Sequence, residues 1–193
     1  LSVDKPLTFG SYAPPHIYME FRVALQNAME RARKVMEDVF KEWAEFTGRD
    51  WKSHISTENV DDAELAVITL GSITSLVRDV VESLRREGKK VGLIKLRTFR
   101  PFPNDEIRKA LKNVNKVIVL ERAVSFGNEG QVAIEVKNAL YGKSKEIYSF
   151  AIGLGGRDVP RELIVKIIDN VMQGKVKQGF HFEGVQEFKE VIP

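Results

Sequence analysis

None of the 193 residues is a cysteine. That absence excludes a disulfide framework, thiolate-ligated zinc, an iron–sulfur cluster held within this chain, and a thiol nucleophile. Long apolar runs are missing too, since none approaches the roughly 18 to 20 residues that cross a bilayer. Leu1, Ser2, Asp4 and Lys5 open the chain without the apolar stretch of a signal peptide. These features lead to the expectation of a cytoplasmic protein with no membrane partner. Charge is not one-sided either. Thirty Lys and Arg nearly balance 27 Asp and Glu, and runs such as Arg31-Ala32-Arg33-Lys34 are followed at once by Glu37-Asp38. Interleaved signs read as a solvated helix face and not as the basic stripe that nucleic acid requires.

Catalytic signatures are equally scarce. There is no P-loop, and Gly153 to Gly156 lacks the third glycine of a dinucleotide fingerprint. His16, His54 and His181 are scattered at no metal-ligand spacing, and neither Ser72 nor Ser125 sits in a nucleophile elbow. What remains is ample material for one folded domain: 43% hydrophobic residues, too many for a disordered tail.

Four segments are expected. Residues 1–16, with Pro6, Gly10, Pro14 and Pro15, read as an extended connector, as if the chain were a piece of something longer. Residues 17–60 comprise a long amphipathic helix and a linker. Phe21, Leu25, Ala28, Ala32, Val35, Val39, Trp43 and Phe46 are three or four apart, and Gly48 supplies the stop. A helix of that length suggests packing on a neighbouring domain or subunit. Residues 51–62 are polar and read as irregular. Residues 61–175 alternate apolar runs with helical patterns: strands at 65–70, 91–96, 117–120 and 147–152, and helices after each. Asn104 is expected to cap the second of these helices, and Asp158 to cap the last with Pro160 in its first turn. Residues 176–193 form a mixed tail with room for an edge strand near 179–183. Near-continuous apolar strands separated by amphipathic helices imply an α/β fold, a three-layer, doubly wound parallel sheet.

In such a sheet ligands gather beyond the carboxyl ends of the strands. The residues there include Ser72, Arg97, Arg100, Arg122 and Arg157, the last within Gly153-Leu154-Gly155-Gly156-Arg157-Asp158. Two readings suit them: loops that bind an anion, or an interface using salt bridges to a partner's acidic surface. No residue qualifies as catalytic, cofactor-binding or metal-ligating by its own pattern.

Four motifs in order carry a family likeness. They are Thr69-Leu70-Gly71-Ser72; Gly92-Leu93-Ile94-Lys95 leading to Arg97-Thr98-Phe99-Arg100-Pro101-Phe102-Pro103; Glu121-Arg122 with Ser125-Phe126-Gly127 and Gly130; and Gly153 to Asp158. Together with Tyr18-Met19-Glu20-Phe21-Arg22, they resemble the C-terminal half of the alpha subunit of 2-oxoacid:ferredoxin oxidoreductases. Arg97-x-x-Arg100-Pro101 also resembles the wider transketolase C-terminal domain. The resemblance implies a transketolase C-terminal-like domain within an enzyme that converts pyruvate, CoA and oxidised ferredoxin to acetyl-CoA, carbon dioxide and reduced ferredoxin. It further implies that the complete enzyme uses thiamine pyrophosphate, magnesium and iron–sulfur clusters. The implied partners are the remaining N-terminal half of the subunit, the beta, gamma and delta subunits, and ferredoxin. This chain lacks the Gly-Asp-Gly segment that would hold magnesium diphosphate, so it is expected to bind none of these cofactors and to be inactive alone. Two alternatives stand beside this reading: a branched-chain 2-oxoacid (2-oxoisovalerate) enzyme, and a free-standing anion- or nucleotide-binding domain.

Overall fold

The computed structural model describes residues 2–7, 10, 12–49, 51 and 53–186. The chain divides into two units, Leu1–Lys52 and Ser53–Pro193.

The first unit is dominated by helix α1 (Pro15–Thr47), which opens with Pro at its first position. It closes at Gly48 in the left-handed conformation, whose N–H donates to the Ala44 carbonyl at 2.9 Å. Not one residue of α1 is buried. Along its apolar stripe Phe21, Leu25, Val35, Val39, Trp43 and Phe46 remain exposed, Phe46 at 84%.

The second unit is built on strands β1 (Ile55–Glu58), β2 (Leu65–Leu70), β3 (Val91–Leu96), β4 (Lys116–Glu121), β5 (Glu146–Ala151) and β6 (Gly179–Phe182). Helices α2 (Ile73–Arg86), α3 (Asn104–Ala110), α4 (Gln131–Ala139) and α5 (Arg161–Met172) connect them, with a 3₁₀ turn at Leu154–Gly156. The strand order is β1-β3-β2-β4-β5-β6. Strands β2 to β6 run parallel, with Leu65 beside both Val91 and Lys116, and β1 is antiparallel to β3.

Because successive side chains point to opposite faces of a strand, each central strand feeds two cores. Ala66, Ile68, Ile94, Leu96, Val117 and Val119 pack with Ile107 of α3 and with Val132 and Val136 of α4. Leu65, Val67, Leu93, Ile118 and Leu120 pack with Val77, Val80 and Leu84 of α2 and with Ile164 and Ile168 of α5. A sheet covered on both faces needs no polar alternation, which is why β2 reads Leu-Ala-Val-Ile-Thr-Leu. The expected three-layer, doubly wound α/β fold is the one observed.

Three local expectations are corrected. Residues 51–62 are not wholly irregular, because Ile55–Glu58 pairs with the outer edge of β3, Ile55 lying opposite Leu96. Only Ile55 of that strand is buried, so its strand state comes from pairing and not from its own pattern. Asn104 is the first residue of α3 and not its cap. Pro103 takes the boundary position, and its carbonyl accepts the Ile107 N–H at 3.0 Å. Likewise Asp158 lies outside α5 and caps nothing; Pro160, in extended backbone just before the helix, accepts the Leu163 N–H at 3.1 Å. A proline lacks an N–H and holds φ near the helical value, so it occupies such boundaries at no loss of a donor.

Candidate functional site at the sheet's carboxyl edge

Strand order reverses at β2, which has β3 on one side and β4 on the other. At such a reversal the following helices leave toward opposite faces, and a crevice opens at the carboxyl ends of the strands. The chain leaves β2 through a braced turn: Thr69 Oγ1 donates to Thr74 Oγ1 at 2.9 Å, and that hydroxyl donates to the Gly71 carbonyl at 2.8 Å. This fixes Ser72 at the entrance to α2.

A cleft of about 270 Å³ lies at this edge, lined by Ser72, Arg122, Gly156, Arg157 and Asp158 among others. Arg122 follows β4 and sends Nε and Nη2 to the Gly153 carbonyl, both at 3.1 Å. Arg157 follows the 3₁₀ turn after β5 and sends Nη1 to the Gly184 carbonyl at 2.6 Å. Gly153 is required here: φ is +61°, and a Cβ would lie 2.6 Å from Val159 Cγ2 and 3.1 Å from Arg122 Nε.

Five strand-end residues were singled out from the sequence, and the fold brings three of them together, Ser72, Arg122 and Arg157. The other two follow β3 and do not line this cleft. Arg97 is half-buried and donates through Nη1 to the Ser53 carbonyl at 3.0 Å, bracing the start of β1. Arg100 pairs with Glu135 and donates to the Phe99 carbonyl, its guanidinium 4.3 Å from the centre of the Phe99 ring.

A buried carboxylate at the edge received no role from the sequence. Glu121, at the end of β4, is 3% exposed. Its carboxylate accepts the Val132 N–H at 2.9 Å and the Ala133 N–H at 3.0 Å, capping α4 from another element. Burial raises its pKa above the ordinary carboxylate value, against the pull of those two amides. Gly130 makes the contact possible, because a Cβ there would sit 1.9 Å from Glu121 Oε1. An acid ending an apolar strand, with a glycine just ahead of the next helix, was the available signal. Between them a hydrogen-bonded turn, with the Ser125 N–H donating to the Glu129 carbonyl, presents Phe126 at 95% exposure.

Two of the three histidines have structural partners. Buried His54 pairs through Nδ1 with Thr98 Oγ1 at 3.0 Å, and His181 stacks on Phe150 with ring centres 5.2 Å apart. Neither Ser72 nor Ser125 has its hydroxyl bonded to a histidine or carboxylate among the described residues. No group of three or more metal-ligating side chains occurs among them either. Without cysteine or a Gly-Asp-Gly segment, the residues present fit neither a resident iron–sulfur cluster nor a magnesium diphosphate.

The open, mostly parallel sheet carries the four strand-end motifs in the order read from the sequence. Residues 63–164 match the pyruvate:ferredoxin oxidoreductase core domain II family, and the chain belongs to that family. The resemblance read from the four motifs is borne out by this match. The chain is similar to pyruvate synthase subunit PorA of Methanosarcina barkeri, 42% identical over 172 residues, 88% of this chain and 43% of that protein. It is also similar to ketoisovalerate oxidoreductase subunit VorA of Pyrococcus furiosus, 42% identical over 170 residues, 87% of this chain and 43% of that protein. Among solved structures it resembles 2-oxoglutarate:ferredoxin oxidoreductase from Magnetococcus marinus with 2-oxoglutarate, coenzyme A and succinyl-CoA bound. That likeness has 24% identity and a TM-score of 0.47 and covers 63% of this chain and 20% of that one. The chain therefore spans less than half the length of the curated relatives it matches.

Proposed function

We propose that the chain is the C-terminal part of the alpha subunit of a pyruvate:ferredoxin oxidoreductase, a pyruvate synthase, and that it serves there as an assembly module. The complete cytoplasmic enzyme would convert pyruvate, CoA and oxidised ferredoxin to acetyl-CoA, carbon dioxide and reduced ferredoxin. Thiamine pyrophosphate with magnesium would supply the carbon chemistry and iron–sulfur clusters the electron path, all held by other parts of the complex. The PorA relatives favour pyruvate, and the VorA relatives at equal identity keep a branched-chain 2-oxoacid as the second reading.

The observation that carries the assembly role is α1. It has 33 residues, an apolar stripe from Phe21 to Phe46, and no buried residue. An exposed apolar surface of this extent marks an interaction site. Its occupant is the rest of the subunit, since the relatives extend well beyond the matched region. Neighbouring beta, gamma and delta subunits would complete the complex that ferredoxin visits. The test is co-expression of this chain with the remainder of the subunit, with and without Phe21→Glu and Leu25→Glu together. Co-purification with the unaltered chain and its loss with the double variant is the expected result. Retention by a double variant that still folds would overturn the role of α1. Comparing ferredoxin reduction by the assembled enzyme on pyruvate and on 2-oxoisovalerate decides the substrate.

A further inference from the structure

We infer that the cleft between Ser72, Arg122 and Arg157 is a binding site for a small phosphate-bearing anion. Five arginines of this unit are neutralised by carboxylates. Arg78 pairs with Glu58, Arg85 with Asp62, Arg100 with Glu135, Arg108 with Asp105 and Arg161 with Asp79. The two arginines of the cleft are not among them. Arg122 and Arg157 bond only to the carbonyls of Gly153 and Gly184, and neither reaches a carboxylate among the described residues.

Carbonyls orient a guanidinium without neutralising it. The two cations therefore stand fixed at one cleft, with N–H groups to spare, before any ligand arrives. Such preorganisation lowers the cost of binding, and the planar fork of arginine matches the oxygens of a phosphate. The cleft also lies at the strand-order reversal, where open α/β sheets take their ligands. Ser72 and Ile73, at the start of α2, also line the cleft, and no backbone hydrogen bond from either N–H is formed among the described residues. Asp158 shares the lining and leaves its net charge at one positive, which limits the site to one anionic group. The volume of about 270 Å³ lies just below the roughly 300–1,000 Å³ of ordinary small-molecule pockets and is enough for one phosphate with a short attachment.

The experiment is a titration of the isotope-labelled, full 193-residue chain with inorganic phosphate and with ethyl phosphate at constant ionic strength, read from backbone amide shifts. Saturable shifts at Ser72, Ile73 and Gly156 are expected. Arg122→Gln and Arg157→Gln should each weaken binding roughly tenfold, as loss of a charge-assisted hydrogen bond implies. Arg86→Gln, at the opposite end of α2 and solvent-exposed, should change nothing. Tighter binding of ethyl phosphate assigns an esterified group, and tighter binding of the inorganic ion assigns free phosphate. Shifts that never saturate, or an equal loss with Arg86→Gln, overturn the site as mere surface charge. It also falls if both cleft variants keep phosphate affinity yet abolish association with the rest of the subunit, because the arginines then serve an acidic protein surface. The phosphate titrations use this chain alone, so their outcome is independent of whether the alpha-subunit assembly role holds.

Discussion

At the scale of single residues, the contact between Glu121 and Gly130 concentrates several demands at one point. A buried carboxylate satisfies two helix-terminal amides, and the space it needs exists only because residue 130 has no side chain. Gly130→Ala leaves the backbone unstrained, since φ is −69° and ψ 147°. It must nevertheless displace the carboxylate or the start of α4. The expected cost is about 1–3 kcal/mol, the range for overpacking, read as a lower denaturation midpoint with unchanged slope. Tyr148 sets a different dependence. It is 4% exposed, and its hydroxyl donates to Glu146 at 2.7 Å. Burial first, and then that hydrogen bond, push its pKa up to about 12. An unfolded tyrosine ionises near pH 10, so between about pH 10 and 12 the unfolded state sheds a proton that the folded state keeps. Stability therefore falls as pH rises through that window. Tyr148→Phe should flatten the fall, measured as melting temperature against pH from 9 to 12; an identical slope in both proteins would refute the assignment.

Among the elements, the central strands and α2 carry the core, and α1 carries surface. Ile118, Leu120 and Val67 are fully buried, whereas Phe21 and Leu25 are each more than half exposed. Charging those two α1 positions should therefore leave the chain's own stability within about 0.5 kcal/mol, as exposed sites ordinarily do. Thermal melts of the double variant alone check this, and a large loss would mean that α1 is already packed. How far elements could be read from sequence follows from the same contrast. Strands β2 and β3 were legible to the residue, because burial on both sheet faces leaves continuous apolar runs. Strand β1 was not, because one buried side chain in four leaves no pattern and the free edge of β3 determines its state. The caps at Asn104 and Asp158 were misread for a related reason. Capping propensity is local, but the neighbouring prolines Pro103 and Pro160 set where the backbone turns helical.

For the whole molecule, the division at Ser53 leads to a prediction. A chain beginning at Ser53 retains all six strands, both cores and helices α2 to α5. It should fold alone with one cooperative transition and bind phosphate as the full chain does. Circular dichroism melts would show this, and a broad non-cooperative loss of signal would contradict it. The sequence by itself determined the α/β class, the order of the parallel elements and the family, because hydrophobic period and strand-end motifs are local properties of the chain. Only the tertiary structure decided which strand ends become neighbours. The ends of β2, β4 and β5 meet around one cleft; β3 also ends beside β2, with Leu70 opposite Leu96, but the arginines that follow it turn to other partners. Ser72, Arg122 and Arg157 thus share a cleft, while Arg97 and Arg100 are tied to β1 and α4. Spacing along a chain does not encode that choice; it follows from which face each crossover helix covers.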